Sequence, residues 1–279
     1  MKPPERIIAI DWSGCAATSS QKKHIRAAII DATDVTILEE KTRDEWFSWL
    51  IEEIKRDTRP TVVGFDFAFS FPVSFFRRRN IGVINQLWKI AEEEGENWMK
   101  SCAPPFWGRP GKKRPETHMT DGFRRTDKDI SVGHISPKSP FQIGGAGAVG
   151  TGSIRGMPIL KRLHESGFSI WPFDEPASPM VVEIYPRLLT REVNKRSRES
   201  RCAYLLSDFS DLPGGVRQQA EESEDAFDAI VSARKMWEHR RNFAELQQST
   251  DCVERLEGCI WAPPTILNLP VLATRLPIH

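Results

Sequence analysis

Residues 6–16 read RIIAIDWSGCA: four apolar residues, Ile7 to Ile10, lead to an acid, Asp11, and the chain then turns on Trp12-Ser13-Gly14. So short and continuous an apolar run predicts a strand buried on both faces, with a carboxylate at its tip. Asp, Ser and Gly are common turn residues, so taken alone the stretch fits an ordinary strand end. A second segment changes its weight. Residues 62–72, VVGFDFAFSFP, form another fully apolar run carrying a single acid, Asp66. A third, MVVEIYP at 180–186, carries Glu183.

Outward from these strands, HIRAAIIDAT (24–33) and DVTILEEK (34–41) predict two more, and their short links make an antiparallel meander with the first. TRDEWFSWLIEEIKRD (42–57) predicts a helix: Thr42 suits the N-cap, Asp44 and Glu45 the first turn, and Trp46, Trp49, Leu50 and Ile54 fall on one stripe. Residues from about 83 to 153 are the least periodic part and read as a loop-rich insertion containing one short helical piece. That insertion ends in GGAGAVGTGS (144–153), after which IRGMPILKRLHESG (154–167) predicts a helix and FSIWPF (168–173) a strand. A helical stretch follows Pro186, and SEDAFDAIVSARKMWEHR (223–240) predicts a closing helix, with Phe227, Ile230, Val231 and Trp237 at helical spacing. The Pro-rich tail from Cys259 is expected to lie over the surface. The sum is an α/β pattern with a mixed central sheet, in one domain spanning 1–279.

Composition bounds the function. The 279 residues are 39% hydrophobic and 28% charged, with a formal net charge of +1, an ordinary soluble balance. Any nucleic-acid footprint must therefore be local, and residues 107–128 hold seven Lys/Arg against three Asp/Glu, interleaved with Trp107 and Phe123. Five scattered cysteines without a CxxC pair read as free thiols in a reducing compartment. With no signal-like start and no apolar run of membrane-spanning length, a cytoplasmic protein with no membrane partner is expected.

The acids matter as a set. Asp11, Asp66 and Glu183 each sit in or at the end of an apolar strand, and Asp225 and Asp228 share one face at the start of the closing helix. Buried carboxylates are costly unless paired, solvated or bound to a cation, and several together raise one another's pKa. Hard oxygen donors in that number suit Mg²⁺ or Mn²⁺, whose typical chemistry on such sites is phosphodiester displacement. Candidate substrate contacts are Ser13 beside the first acid, Lys112, Arg124 and Arg125 in the basic segment, and Gly152 and Ser153, where free N–H groups at a helix start could cradle a phosphate. His118 or His134 could assist there.

The order of these segments resembles the RNase H-like fold. GFDFAFSFP, GAGAVGTGSIRGMP, VVEIYPR and EDAFDAIVSA together resemble a domain-of-unknown-function family of predicted RNase H-like nucleases, over about residues 6 to 240. The closing helix also resembles that of Holliday-junction resolvases. The resemblance implies a two-metal nuclease site with first-strand ligand Asp11, fourth-strand ligand Asp66 and late-helix ligands Asp225 or Asp228; Glu183 matches the family's acid before Tyr-Pro.

Two other classes stay open at this point. One is a non-catalytic nucleic-acid or ligand-binding protein on the same fold. The other is an actin-like or sugar-kinase-like ATP-binding protein, suggested by DWSG, although such proteins need two domains around the nucleotide. GAGAVG satisfies GxGxxG, but no long βαβ unit surrounds it. A Ser-His-Asp hydrolase would want GxSxG, which the sequence lacks.

Overall fold

The computed structural model describes residues 1–130, 136–190 and 193–264. Its centre is a six-stranded mixed sheet built from β1 (Arg6–Asp11), β2 (Arg26–Asp31), β3 (Val35–Leu38), β4 (Thr61–Phe65), β5 (Ser169–Ile170) and β6 (Met180–Glu183), in the order β3-β2-β1-β4-β6-β5. The expected meander is present, with β1–β2 and β2–β3 antiparallel, while β4 joins β1 and β6 joins β4 in parallel. FSIWPF supplies only the two residues of β5, because Trp171-Pro172 ends the pairing.

Helices cover both faces, which is why the central strands are apolar throughout rather than alternating. Ile8, Ile10, Val63, Phe65 and Val181 face α2 (Arg43–Arg56), α4 (Ile84–Ser101) and α7 (Gly150–Glu165). Ile7, Ala9, Val62, Met180 and Val182 face the other side, against α8 (Pro186–Thr190), α9 (Arg198–Asp208), α10 (Gly214–Glu222) and α11 (Glu224–Glu238). The shorter α1 (Thr18–His24), α3 (Val73–Arg79), α5 (His118–Asp121), α6 (Arg125–Asp129) and α12 (Glu254–Glu257) lie in the connections.

Local signals explain the helix starts. Thr42 accepts from the Glu45 N–H, and the Glu45 side chain accepts from the Thr42 N–H, a full capping box for α2. Ser223 caps α11 by accepting from Ala226 N–H. Gly64 leaves room for α11 to approach the sheet: a Cβ there would lie 2.8 Å from Met236 Sδ.

Two segments differ from expectation, while the insertion's helix is present. The helical piece expected in the loop-rich insertion is the 18-residue α4, whose Leu87, Trp88, Ala91, Trp98 and Met99 pack into the core against α7. The chain after Cys259 does not begin on the surface: Ile260, Trp261 and Ala262 are buried, Trp261 N–H donates to the Glu183 carbonyl at 2.8 Å, and the Trp261 ring stacks on Phe243 at 4.7 Å. The rest of that tail, from 265, lies outside the described residues, as does His134. Helix α1 was unexpected, since it buries only Gln21 and carries no apolar stripe to reveal it.

Candidate active site

β1 and β4 run parallel side by side, so their C-terminal ends bring Asp11 and Asp66 to the same edge of the sheet. The ladder continues past β4, with Asp66 N–H donating to the Ile10 carbonyl at 3.1 Å. Side chains alternate along a strand. Asp11 therefore follows Ile7 and Ala9, and Asp66 follows Val62 and Gly64, onto the face covered by α11. From that helix Asp228, 2% exposed, is delivered to the same place.

The electrostatics record the crowding. Burial first, then the charges of Asp228, Asp66 and Asp225, push the Asp11 carboxyl well above its ordinary range. Burial and Asp228 lift Asp66 to about 7. Burial raises Asp228 as well, although Lys195 opposes it. Three carboxylates thus share one low-dielectric pocket, which disfavours their simultaneous charge.

Lys195 is the functional residue that sequence reasoning missed. Its ammonium is ion-paired with Asp228 Oδ2, and it also draws down Asp11 and Asp66. It lies in a polar connection between α8 and α9, where no periodicity or motif singles it out; only the fold brings it to the acids. Asp228 Oδ1 is buried and has no hydrogen-bond partner among the described residues.

The other expected residues are placed differently. Asp225 is on the outer side of the cluster, where its Oδ2 lies 3.0 Å from His24 Nδ1. Glu183 follows Val181 onto the opposite face of the sheet from Asp11 and Asp66. There both its oxygens are taken by Arg124, at 2.6 and 2.7 Å, and one also accepts from Phe69 N–H at 2.9 Å. The expectation of Glu183 as a metal ligand is corrected by this pairing. Arg124, expected to meet substrate, is 1% exposed and bridges Glu183 and Asp127. Burial opposes its charge, but the two acids overcome that and hold the guanidinium well above its usual range. Arg125 is tied to Asp251 at 3.0 Å. Lys112 sits on an exposed turn closed by its own carbonyl accepting from Gly108 N–H at 3.0 Å.

The glycine-rich loop meets the first strand's turn. Gly145 and Gly147 both have φ of 76°, making tight turns. A Cβ on Gly14 would lie 2.5 Å from Gly152 N, so these two backbones touch. Ser153 is fully buried, its Oγ accepting from Ala68 N–H at 3.1 Å, and Gly150 N–H donates to the Gln142 carbonyl at 2.9 Å. The start of α7 is accordingly packed against Asp66's loop rather than left open, and Gly152 and Ser153 act as its mortar. Ser13 Oγ accepts from Cys15 N–H at 3.2 Å, shaping the same turn. Beside Asp66 this junction leaves a cavity of about 240 Å³, lined by Trp12, Phe67, Lys138, Thr151 and Tyr185 among others.

The donor chemistry fits a divalent cation: three carboxylates at one strand edge, one with a buried orphan oxygen. Among the described residues no trio of His, Cys, Asp or Glu stands close enough to enclose an ion outright. The Lys195 ammonium occupies one Asp228 oxygen. Among the described residues no helix is long and apolar enough to cross a membrane.

No protein family, curated protein or solved structure matches the chain.

Proposed function

We propose that the chain is an RNase H-like protein that hydrolyses phosphodiester bonds of nucleic acid with Mg²⁺ or Mn²⁺ held by Asp11, Asp66 and Asp228. The observation that carries this reading is the convergence of three carboxylates from β1, β4 and α11 on one sheet edge, Asp11 and Asp228 buried and Asp66 half-buried, with Asp228 Oδ1 unpartnered among the described residues. The sheet order β3-β2-β1-β4-β6, with its antiparallel meander and parallel β4, supports the fold-level part. So Asp11 ends its strand where it does because the strand presents a ligand.

A bound cation would supply Lewis acidity at the scissile phosphate and lower the pKa of an attacking water. The chain's own residues do the rest. Asp11 and Asp66 hold fixed positions because each belongs to a buried strand end, and the packing of Gly14 on Gly152 locks the turn between them and α7. Lys195 places a positive charge where substrate phosphate charge must be met. The cavity beside Asp66, about 240 Å³, is smaller than the ~300–1,000 Å³ usual for a free small ligand. It suits one base or sugar of a longer substrate, with Tyr185 and Trp12 at its walls. The exposed Arg109–Lys113 turn is available for backbone phosphates.

The test is cleavage of end-labelled single-stranded, duplex and branched DNA and RNA with Mg²⁺ or Mn²⁺. The wild type is expected to cut at least one of these, and Asp11→Asn and Asp228→Asn are expected to cut none while remaining folded. Undiminished cleavage by either variant would remove the carboxylates from the mechanism.

A further inference from the structure

Asp66 belongs both to the carboxylate cluster and to the lining of the cavity of about 240 Å³ beside it. Aromatic rings wall that cavity, and each is held by its neighbours. Trp12 packs edge-on to Phe65, with centroids 5.4 Å apart, and against Phe67 at 5.2 Å. The Phe67 ring lies so close to Gly156 of α7 that a Cβ there would overlap it. Tyr185 is tethered by its hydroxyl, which donates to the Ser136 carbonyl at 3.2 Å. The turn that carries Trp12 is fixed through its carbonyls. Arg43 Nη1 donates to Ser13 O at 3.0 Å and Cys15 O at 2.7 Å, Arg155 Nη1 donates to Gly14 O, and Gln21 Nε2 donates to Ala16 O at 2.9 Å. Gln21 is the residue that α1 buries, so that helix serves this turn. The cavity is formed before any ligand arrives, which removes the cost of ordering it on binding.

Its polar lining restricts what can enter. Arg124 has five N–H groups, and all five are spent on Asp127, Glu183 and the Glu257 carbonyl. Asp127 Oδ1 and Glu183 Oε1 each accept one of these bonds and, among the described residues, no other. That part of the lining therefore offers carboxylate oxygens and no free guanidinium N–H, and Asp66 adds another carboxyl group. A phosphate finds no donor there and is repelled. A flat, neutral ring bearing N–H groups suits both parts of the lining, stacking on the aromatic side chains and donating to the carboxylates.

We propose that this cavity receives one unpaired nucleobase, so that the substrate is single-stranded DNA or RNA or an unpaired stretch of either. This rests on the nucleic-acid part of the reading above and names its substrate class. A base within a duplex must leave its stack and its partner to enter a lined cavity, whereas a single strand offers bases already free. With the base inside, its own phosphate comes to the edge that Asp66 shares with Asp11 and Asp228. The exposed Lys138, which also lines the cavity, meets the backbone outside it.

The experiment measures binding of short end-labelled DNA and RNA oligonucleotides to the full-length chain by fluorescence anisotropy. It is run in EDTA, so that binding is read without cleavage. Each sequence is offered as a single strand, as a duplex and as an abasic strand that keeps every phosphate. The single strand of DNA, of RNA or of both is expected to bind roughly tenfold or more tighter than its duplex and abasic forms, and comparing the two arms identifies the sugar. Ala148→Phe adds a ring to the lining and leaves the carboxylates and Arg124 in place. It is expected to weaken single-strand binding by roughly 5- to 150-fold, the worth of one stacked base, with circular dichroism melting confirming the fold. Equal or absent binding of all three forms in both arms would overturn the inference, as would undiminished binding by folded Ala148→Phe; the cleavage assay would still judge the nuclease reading separately. Single-strand binding without cleavage in Mg²⁺ or Mn²⁺ would support this inference and overturn the nuclease reading.

Discussion

Replacing Asp66 with asparagine should stabilise the cation-free protein, even though it removes a proposed ligand. The Asp66 carboxyl is lifted from an ordinary 3.8 to about 7 by burial and by Asp228. In the folded chain it keeps its proton over a range where the unfolded chain has already lost it. Stability therefore falls as pH rises from about 4 to about 7 and stays low above that. At about 1.4 kcal/mol per tenfold change in proton affinity, the full penalty at pH 8 is roughly 4 kcal/mol, an upper figure because Asp66 is only half-buried. Asparagine has the same shape, carries no charge and can donate to Asp11. With Tm moving ~2–4 °C per kcal/mol for a chain of this size, Asp66→Asn should melt above wild type at pH 8, by at most roughly 8–16 °C. The two should coincide at pH 4. Melting in EDTA followed by circular dichroism across that range reads both numbers. An Asp66→Asn protein that melts at or below wild type at pH 8 would refute the argument that unshielded carboxylates crowd this strand edge.

Other consequences follow from named contacts. Arg124→Met strands Glu183 and Asp127 as buried charges, so urea unfolding should report a loss of about 3–5 kcal/mol. Gly14→Ala forces a Cβ to within 2.5 Å of Gly152 N and Thr151 Oγ1, so β1's turn and α7 must separate; cleavage should fall more than Tm does, seen by running both assays on one preparation. Asp225→Asn should retain Mn²⁺ binding that Asp228→Asn loses, because Asp225 sits outside the cluster on His24 while Asp228 is inside it; equal losses would place both acids in the site.

Much of this architecture was legible in the sequence because it rests on periodicity. The apolar runs at Ile7–Ile10 and Val62–Phe65 become doubly covered central strands, and the Thr42 cap starts its helix as its chemistry requires. Asp11, Asp66 and Asp228 stood out as acids in apolar settings, and the fold brings those three together. What the sequence hides depends on register and on long-range contact. Glu183 looks equivalent to Asp66 along the chain, but the pairing of Phe65 with Glu183 puts the two carboxylates on opposite faces of the sheet. Arg124 looks like a surface cation in a basic run, and only the tertiary contact with Glu183, 59 residues away, shows it to be structural. Lys195 belongs to no pattern at all. Only the fold brings it to Asp228.

The most direct measurement is the anomalous diffraction of Mn²⁺ in crystals of the wild-type chain. The account predicts a peak bonded to Asp11, Asp66 and Asp228 Oδ1, with the Lys195 ammonium still on Oδ2. Saturating Mn²⁺ with no peak at these carboxylates, in a crystal where Asp11, Asp66 and Asp228 are well ordered, would contradict it.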